Sequence, residues 1–200
     1  PAINLLYYWN DFTFDFAFIP TYTPTRMPLV NSRHTFLDPK APTTINSRDL
    51  PSDTLDNSQS GIRVSRHISG WDVSLCCYDG YDDITLPIVE NDLTITPKFN
   101  RIRVIGSDFA TAFGSLGVHG EAAQFIYDGG KDEDYFQYIL GIDYAWTDVI
   151  KDHDIFLILE YMGDKTTRSR QDKRPAFGSG LGRVFANSVL STITYKASDT

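Results

Sequence analysis

The chain has 200 residues, 42% hydrophobic and 22% charged, which is too apolar for a disordered segment. Its net charge of -8 at pH 7 argues against nucleic acid, which rewards basic surfaces. No run approaches the roughly 18 apolar residues of a membrane helix; this excludes a helical membrane protein and leaves β-barrels open, because alternate barrel residues are polar.

In chain order, the first elements are strands near 3–9 and 12–20. Phe12, Phe14, Phe16 and Phe18 alternate with Thr13, Asp15 and Ala17, the period of a strand with two unlike faces. Asn10-Asp11 between them is a two-residue hairpin signal. The link 21–60 is long and rich in Pro, Thr, Ser and Asp. Strands near 61–68 and 71–78 meet at Ser69-Gly70, with Trp71, Val73, Leu75 and Cys77 opposing Asp72, Ser74, Cys76 and Tyr78. The adjacent Cys76 and Cys77 then point to opposite faces, so two free thiols are expected. A long acidic link near 79–96 precedes strands 97–113 and 117–127, joined by the short Gly114-Ser115 turn. A medium loop, 128–134, leads to strand 135–147. There Phe136, Tyr138, Leu140, Ile142, Tyr144 and Trp146 oppose Gln137, Ile139, Gly141, Asp143 and Ala145. The polar turn 148–154, strand 155–163, the basic link 164–181 and strand 182–196 complete the reading.

Short and long links alternate without a break, so all short turns are expected at one end of an antiparallel up-and-down meander. Outer-membrane barrels have this asymmetry. Trp9, Phe12, Trp71, Phe113 and Trp146 fall at the short-turn ends, and Tyr78, Tyr127, Tyr135 and Tyr161 near the long-loop ends. These are expected as two aromatic belts at membrane interfaces, where amphipathic rings favour the headgroup level. The fold class expected is therefore all-β, part of a transmembrane β-barrel. Residues 1–200 read as one barrel segment cut from a longer chain at both ends, with 21–60 an external or lumen-folded loop. About nine strands is an odd count, whereas bacterial single-chain barrels are even.

Several segments carry a resemblance. Arg101-Ile102-Arg103-Val104-Ile105-Gly106-Ser107-Asp108-Phe109-Ala110 is followed by Gly114-Ser115-Leu116-Gly117-Val118-His119-Gly120-Glu121-Ala122-Ala123. Then come Gln137-Tyr138-Ile139-Leu140-Gly141-Ile142-Asp143-Tyr144 and Leu159-Glu160-Tyr161. Over about residues 61–163 these resemble a porin-like family of Gram-negative outer-membrane proteins of largely unassigned function. The resemblance implies an outer-membrane barrel passing small solutes, and it supplies no catalytic residues.

Arg63, His67, Asp72, His119, Glu121, Asp143 and Glu160 fall on the less apolar faces of their strands. A charge in mid-bilayer costs a few kcal/mol, so these residues are expected to line a lumen. They would serve there as a selectivity-setting surface or as a structural network. His119 and Glu121 alone do not make a metal or acid–base site. The Gly178–Gly182 run lacks the setting of a phosphate loop, and the acidic loops 79–83 and 128–134 fit no EF-hand. No enzyme activity, metal or cofactor is expected. The expected partners are the lipid bilayer, lipopolysaccharide phosphates at the basic cluster Lys165–Arg174, and small solutes. The alternative is a soluble antiparallel barrel or sandwich that binds a small ligand or carbohydrate, with its greasy face inward.

Overall fold

The alternating segments form one nine-stranded antiparallel sheet in the computed structural model, which describes residues 2–24, 44–84, 86–90, 94–149, 153–174, 176 and 187–196. Its strands are β1 (Ile3–Trp9), β2 (Phe12–Ile19), β3 (Gln59–Ile68), β4 (Trp71–Tyr81), β7 (Arg101–Phe113), β8 (Leu116–Tyr127), β9 (Asp134–Trp146), β10 (Asp154–Arg168) and β11 (Ser188–Lys196). Neighbours in the sheet follow chain order, as a meander requires. The sheet is open, with β1 and β11 as its edges and no pairing between them among the described residues.

The register places the four short turns together. Phe12 pairs with Arg66, Trp71 with Thr111, and Leu116 with Tyr144, so each turn lies beside the next. Two cross-links tie neighbouring turns: Thr111 Oγ1 donates to the Gly70 carbonyl at 3.0 Å, and Ala145 N to the Ser115 carbonyl at 3.2 Å. Gly70 adopts φ +85°, a left-handed conformation that costs glycine no Cβ clash.

The strands are staggered. A row of directly paired residues runs Phe12, Arg66, Val73, Phe109, Gly120, Leu140, Tyr161. It starts at the first residue of β2 and ends seven residues into β10. Six steps of ~4.8 Å against seven rises of ~3.3 Å tilt the strands by roughly 40° from the normal to the line of turns.

Three findings revise the sequence reading. The acidic link after β4 contains a separate hairpin, β5 (Leu86–Val89) with β6 (Ile95–Lys98), and the expected strand 97–113 begins only at Arg101. β10 continues to Arg168 instead of ending near 163, so the start of the basic link is strand. Of the expected strand 182–196, residues 188–196 form β11, and 182–186 lie outside the described residues.

The hairpin is the centre of a small cap made from three long links. Ile45 and Asp49 bridge in parallel to Ile95 and Lys98, and Ala176 bridges to Ile88 on the other side. Leu86, Ile88, Ile95 and Phe99 are buried there, with Pro87 and Pro97 fully enclosed. Each large apolar side chain buried there contributes about 1.5–3 kcal/mol.

Candidate functional site: a two-faced wall

Register assigns every strand residue to one of two faces. The apolar face carries Phe14, Val64, Leu75, Leu140, Leu157 and Ile193 among others. Leu75 (67%), Leu140 (52%) and Ile193 (73%) are exposed, and Phe14, Val64 and Leu157 are half-buried. The opposite face carries Arg63, His67, Asp72, His119, Glu121, Asp143 and Glu160, all seven of the expected polar residues. Three recesses of about 500, 250 and 250 Å³ open mainly on this polar face, and one of about 370 Å³, lined by Phe109, Phe136, Tyr138 and Leu140, lies on the apolar one.

The apolar face is a band with marked borders. On β9 it runs from Phe136 to Trp146 and on β7 from Ile105 to Phe113. After the tilt these spans are roughly 26 and 20 Å. At the short-turn border stand Trp9, Phe12, Trp71, Phe113 and Trp146, in ring contact as Trp9–Phe12 (6.4 Å), Trp71–Phe113 (6.2 Å) and Tyr144–Trp146 (4.5 Å). At the other border Asp79 accepts from Arg101 Nε at 2.8 Å and lies 3.4 Å from Arg103. Lys165 stands at the limit of the band, opposite Phe136, and Arg66 lies inside it. Arg66 extends over the Phe12 ring, 4.7 Å from the centroid, toward Asp11 in the turn at 3.4 Å.

The second expected belt is not one surface. Tyr78, Tyr127 and Tyr135 share the polar face instead, because strand parity sets them with Cys76, Phe125 and Gln137. There they pack with Ile102, Val104 and Phe125 in a cluster whose centre is buried. Their rings are spent on that cluster, and the hydroxyls find partners: Tyr78 donates to Gln59 Oε1 at 2.6 Å and Tyr127 to Asp82. Tyr161 does lie on the apolar face, against Tyr138 at 6.0 Å, but in mid-strand because β10 is longer than expected.

The polar residues form two networks and a pair. Arg63 Nε donates to Ser74 Oγ at 3.0 Å while Nη2 reaches both Asp108 oxygens at 2.9 and 3.0 Å, and Ser74 also bonds Asp108. His119 Nε2 lies 3.0 Å from Glu160, and its Nδ1 lies 3.7 Å from Asp143. That reach crosses all of β9, and Gly141 makes it possible: a Cβ there would sit 2.2 Å from His119 Nε2. His67 Nδ1 contacts Asp72 at 2.8 Å in an exposed pair beside the turns. Glu121 joins no network. Cys76 and Cys77 are free and fall on the polar and apolar faces respectively, as the alternation predicts.

Asp82, at the exit of β4, fastens the cap to the polar-face cluster. It accepts from Tyr127 Oη and from Ile84 N at 2.9 Å, and its carbonyl accepts from Tyr22 Oη at 2.8 Å. Burial, with Asp132 and Asp83 nearby, raises its pKa above the ordinary carboxylate value despite those donors. The basic link is largely committed internally. Arg168 holds Asp134 and the Tyr127 carbonyl, and Arg174 holds Asp172 and Glu90. The hydrogen bonds from Arg174 pull the Asp172 pKa down to about 2.

Among the described residues no group of three or more His, Cys, Asp or Glu is placed to hold a metal ion. No helix is long and apolar enough to cross a membrane, a statement that does not touch strands. Comparison with known proteins finds no matching family model, curated protein or solved structure. The class defined by fold and surface is an antiparallel β-meander with one mainly apolar and one polar face.

Proposed function

We propose that this meander is wall of a porin-like β-barrel in a bacterial outer membrane, apolar face to lipid and polar face to a solute path. The observation that carries the reading is the apolar band. It shows exposed large apolar side chains on eight of the nine strands, holds Arg66 within it and Lys165 opposite Phe136 at its limit, and is bordered by indoles and phenyl rings at one edge and an Asp–Arg cluster at the other. Its height of roughly 20–26 Å suits the ~25 Å lipid-facing band of such barrels. In water, exposed apolar patches beyond a few hundred Å² are rare on monomers. Arg66 is tolerable in lipid because its stem lies along Phe12 and its head reaches the turn level, the snorkelling route of a cation near an interface. The tilt of roughly 40° falls in the barrel range. An open sheet edge cannot persist in hydrocarbon, so on this reading further strands cover β1 and β11.

The soluble ligand-binding alternative needs the greasy face turned inward, whereas Leu75, Leu140 and Ile193 on that face are exposed. The test of the proposal is refolding of the full-length protein, with the strands that cover β1 and β11, into lipid vesicles loaded with a small fluorescent solute. Resistance to carbonate extraction together with solute release is expected. A protein that stays in the aqueous phase refutes the membrane reading, and insertion without release refutes passage.

A further inference from the structure

We infer that the solutes favoured by this wall are cations, because carboxylates outnumber cations on its polar face. The inference rests on the pore reading and goes beyond it by assigning the sign of the charge. The polar face bears Asp15, Asp108, Glu121, Asp143 and Glu160 on its inner rows, and Asp72, Asp154 and Asp164 toward its ends. Against these eight carboxylates it bears two permanent cations, Arg63 and Lys196. His67 and His119 are the titratable remainder. Were both imidazoles protonated, the carboxylates would still exceed the cations by four, so the sign survives any state of the histidines.

The pairing concentrates this excess in two places. Arg63 lies directly opposite Asp15 in the ladder, yet its guanidinium is turned the other way, onto Ser74 and Asp108. His119 is engaged by Glu160 and Asp143. Asp15 and Glu121 are left with no ion pair among the described residues. Asp15 Oδ1 is completely buried and has no hydrogen-bond donor, at the edge of one of the 250 Å³ recesses. The charge of such a carboxylate is offset by no donor at that oxygen, and it acts on a passing cation through its field and not by contact. Glu121 is exposed, opposite Asp108 in the ladder, and lines the 500 Å³ recess. Two carboxylates side by side keep the potential negative where Arg63 would otherwise cancel it. Rings and rows of Asp or Glu set cation preference in pores by this means.

The experiment is single-channel recording of the full-length protein, with the strands that cover β1 and β11, in a planar bilayer under a KCl gradient, for the wild type, Glu121→Gln and Asp15→Asn. Expected are a reversal potential of the sign for K⁺, with K⁺ favoured over Cl⁻ several-fold, and a lower ratio in each variant. Glu121 is exposed and unpaired, so Glu121→Gln tests the idea even where Asp15→Asn fails to assemble. Channels with no preference, or a preference for Cl⁻, overturn the inference and leave the pore reading standing. A wild-type cation preference unchanged in both variants overturns the assignment to these two residues. Absence of channels overturns the pore reading itself, and the inference with it.

Discussion

Ile139 and Leu140 are neighbours in the middle of β9, at one depth and on opposite faces, and a lysine placed at each separates the membrane reading from its rival. Leu140 is half exposed on the apolar face, whereas Ile139 lies directly opposite Glu121 on the polar one. If the apolar face meets lipid, Leu140→Lys puts an ammonium near mid-bilayer at a cost of about 2–4 kcal/mol. That is a factor of roughly 30 to 900 in the folding equilibrium. Ile139→Lys places the same charge beside an uncompensated carboxylate and should cost less than about 1.5 kcal/mol, chiefly the lost side-chain packing. In water the order reverses. Leu140 is exposed enough for the change to fall within about 0.5 kcal/mol, and the half-buried Ile139 becomes the costlier site. The assay is equilibrium urea titration of both variants in short-chain lipid vesicles, read by tryptophan fluorescence and gel mobility. Leu140→Lys at wild-type stability, with Ile139→Lys strongly destabilised, would refute the assignment of faces to lipid and lumen.

Two further outcomes follow from single contacts. Gly141→Ala should destabilise by about 1–3 kcal/mol through overpacking, because its Cβ would meet the His119 ring that crosses above it. Combining it with His119→Ala should recover much of that loss, and fully additive effects in the double-mutant cycle would discount the crossing. For Asp82 the sign runs as for any acid with a raised pKa. The folded cap holds the proton more tightly than the unfolded chain, so its attachment is strongest in acid and weakens as pH rises from the ordinary carboxylate value through the folded one. Asp82→Asn keeps an acceptor for Tyr127 and removes that loss. Hydrogen exchange of 86–98 in the variant should therefore be slower at neutral pH and flatter with pH, after correction for intrinsic exchange, and an unchanged profile would clear Asp82 of the role.

Much of the wall was legible in residue order because alternation in a strand is a local property. Phe136 to Trp146 reads as a greasy face whatever lies next to it, since successive side chains must point to opposite sides. The gathering of the turns at one end was likewise implied by link lengths, as antiparallel neighbours can be joined by two residues. What lies between strands was not legible. Arg63 could equally have bonded Asp15, its direct opposite, and only the packed sheet sends it to Asp108, 45 residues away. His119 finds Glu160, 41 residues on, through the gap above Gly141. Tyr78, Tyr127 and Tyr135 look like interface residues by position in their strands, yet register gathers them into a buried cluster. The cap was hidden for the same reason. Its strands are four residues long, too short to show a period, and their partners come from links more than forty residues before and more than seventy after. Side-chain direction is decided within a strand, but partnership is decided by which strands meet and in what register, and that is settled only when the whole sheet is assembled.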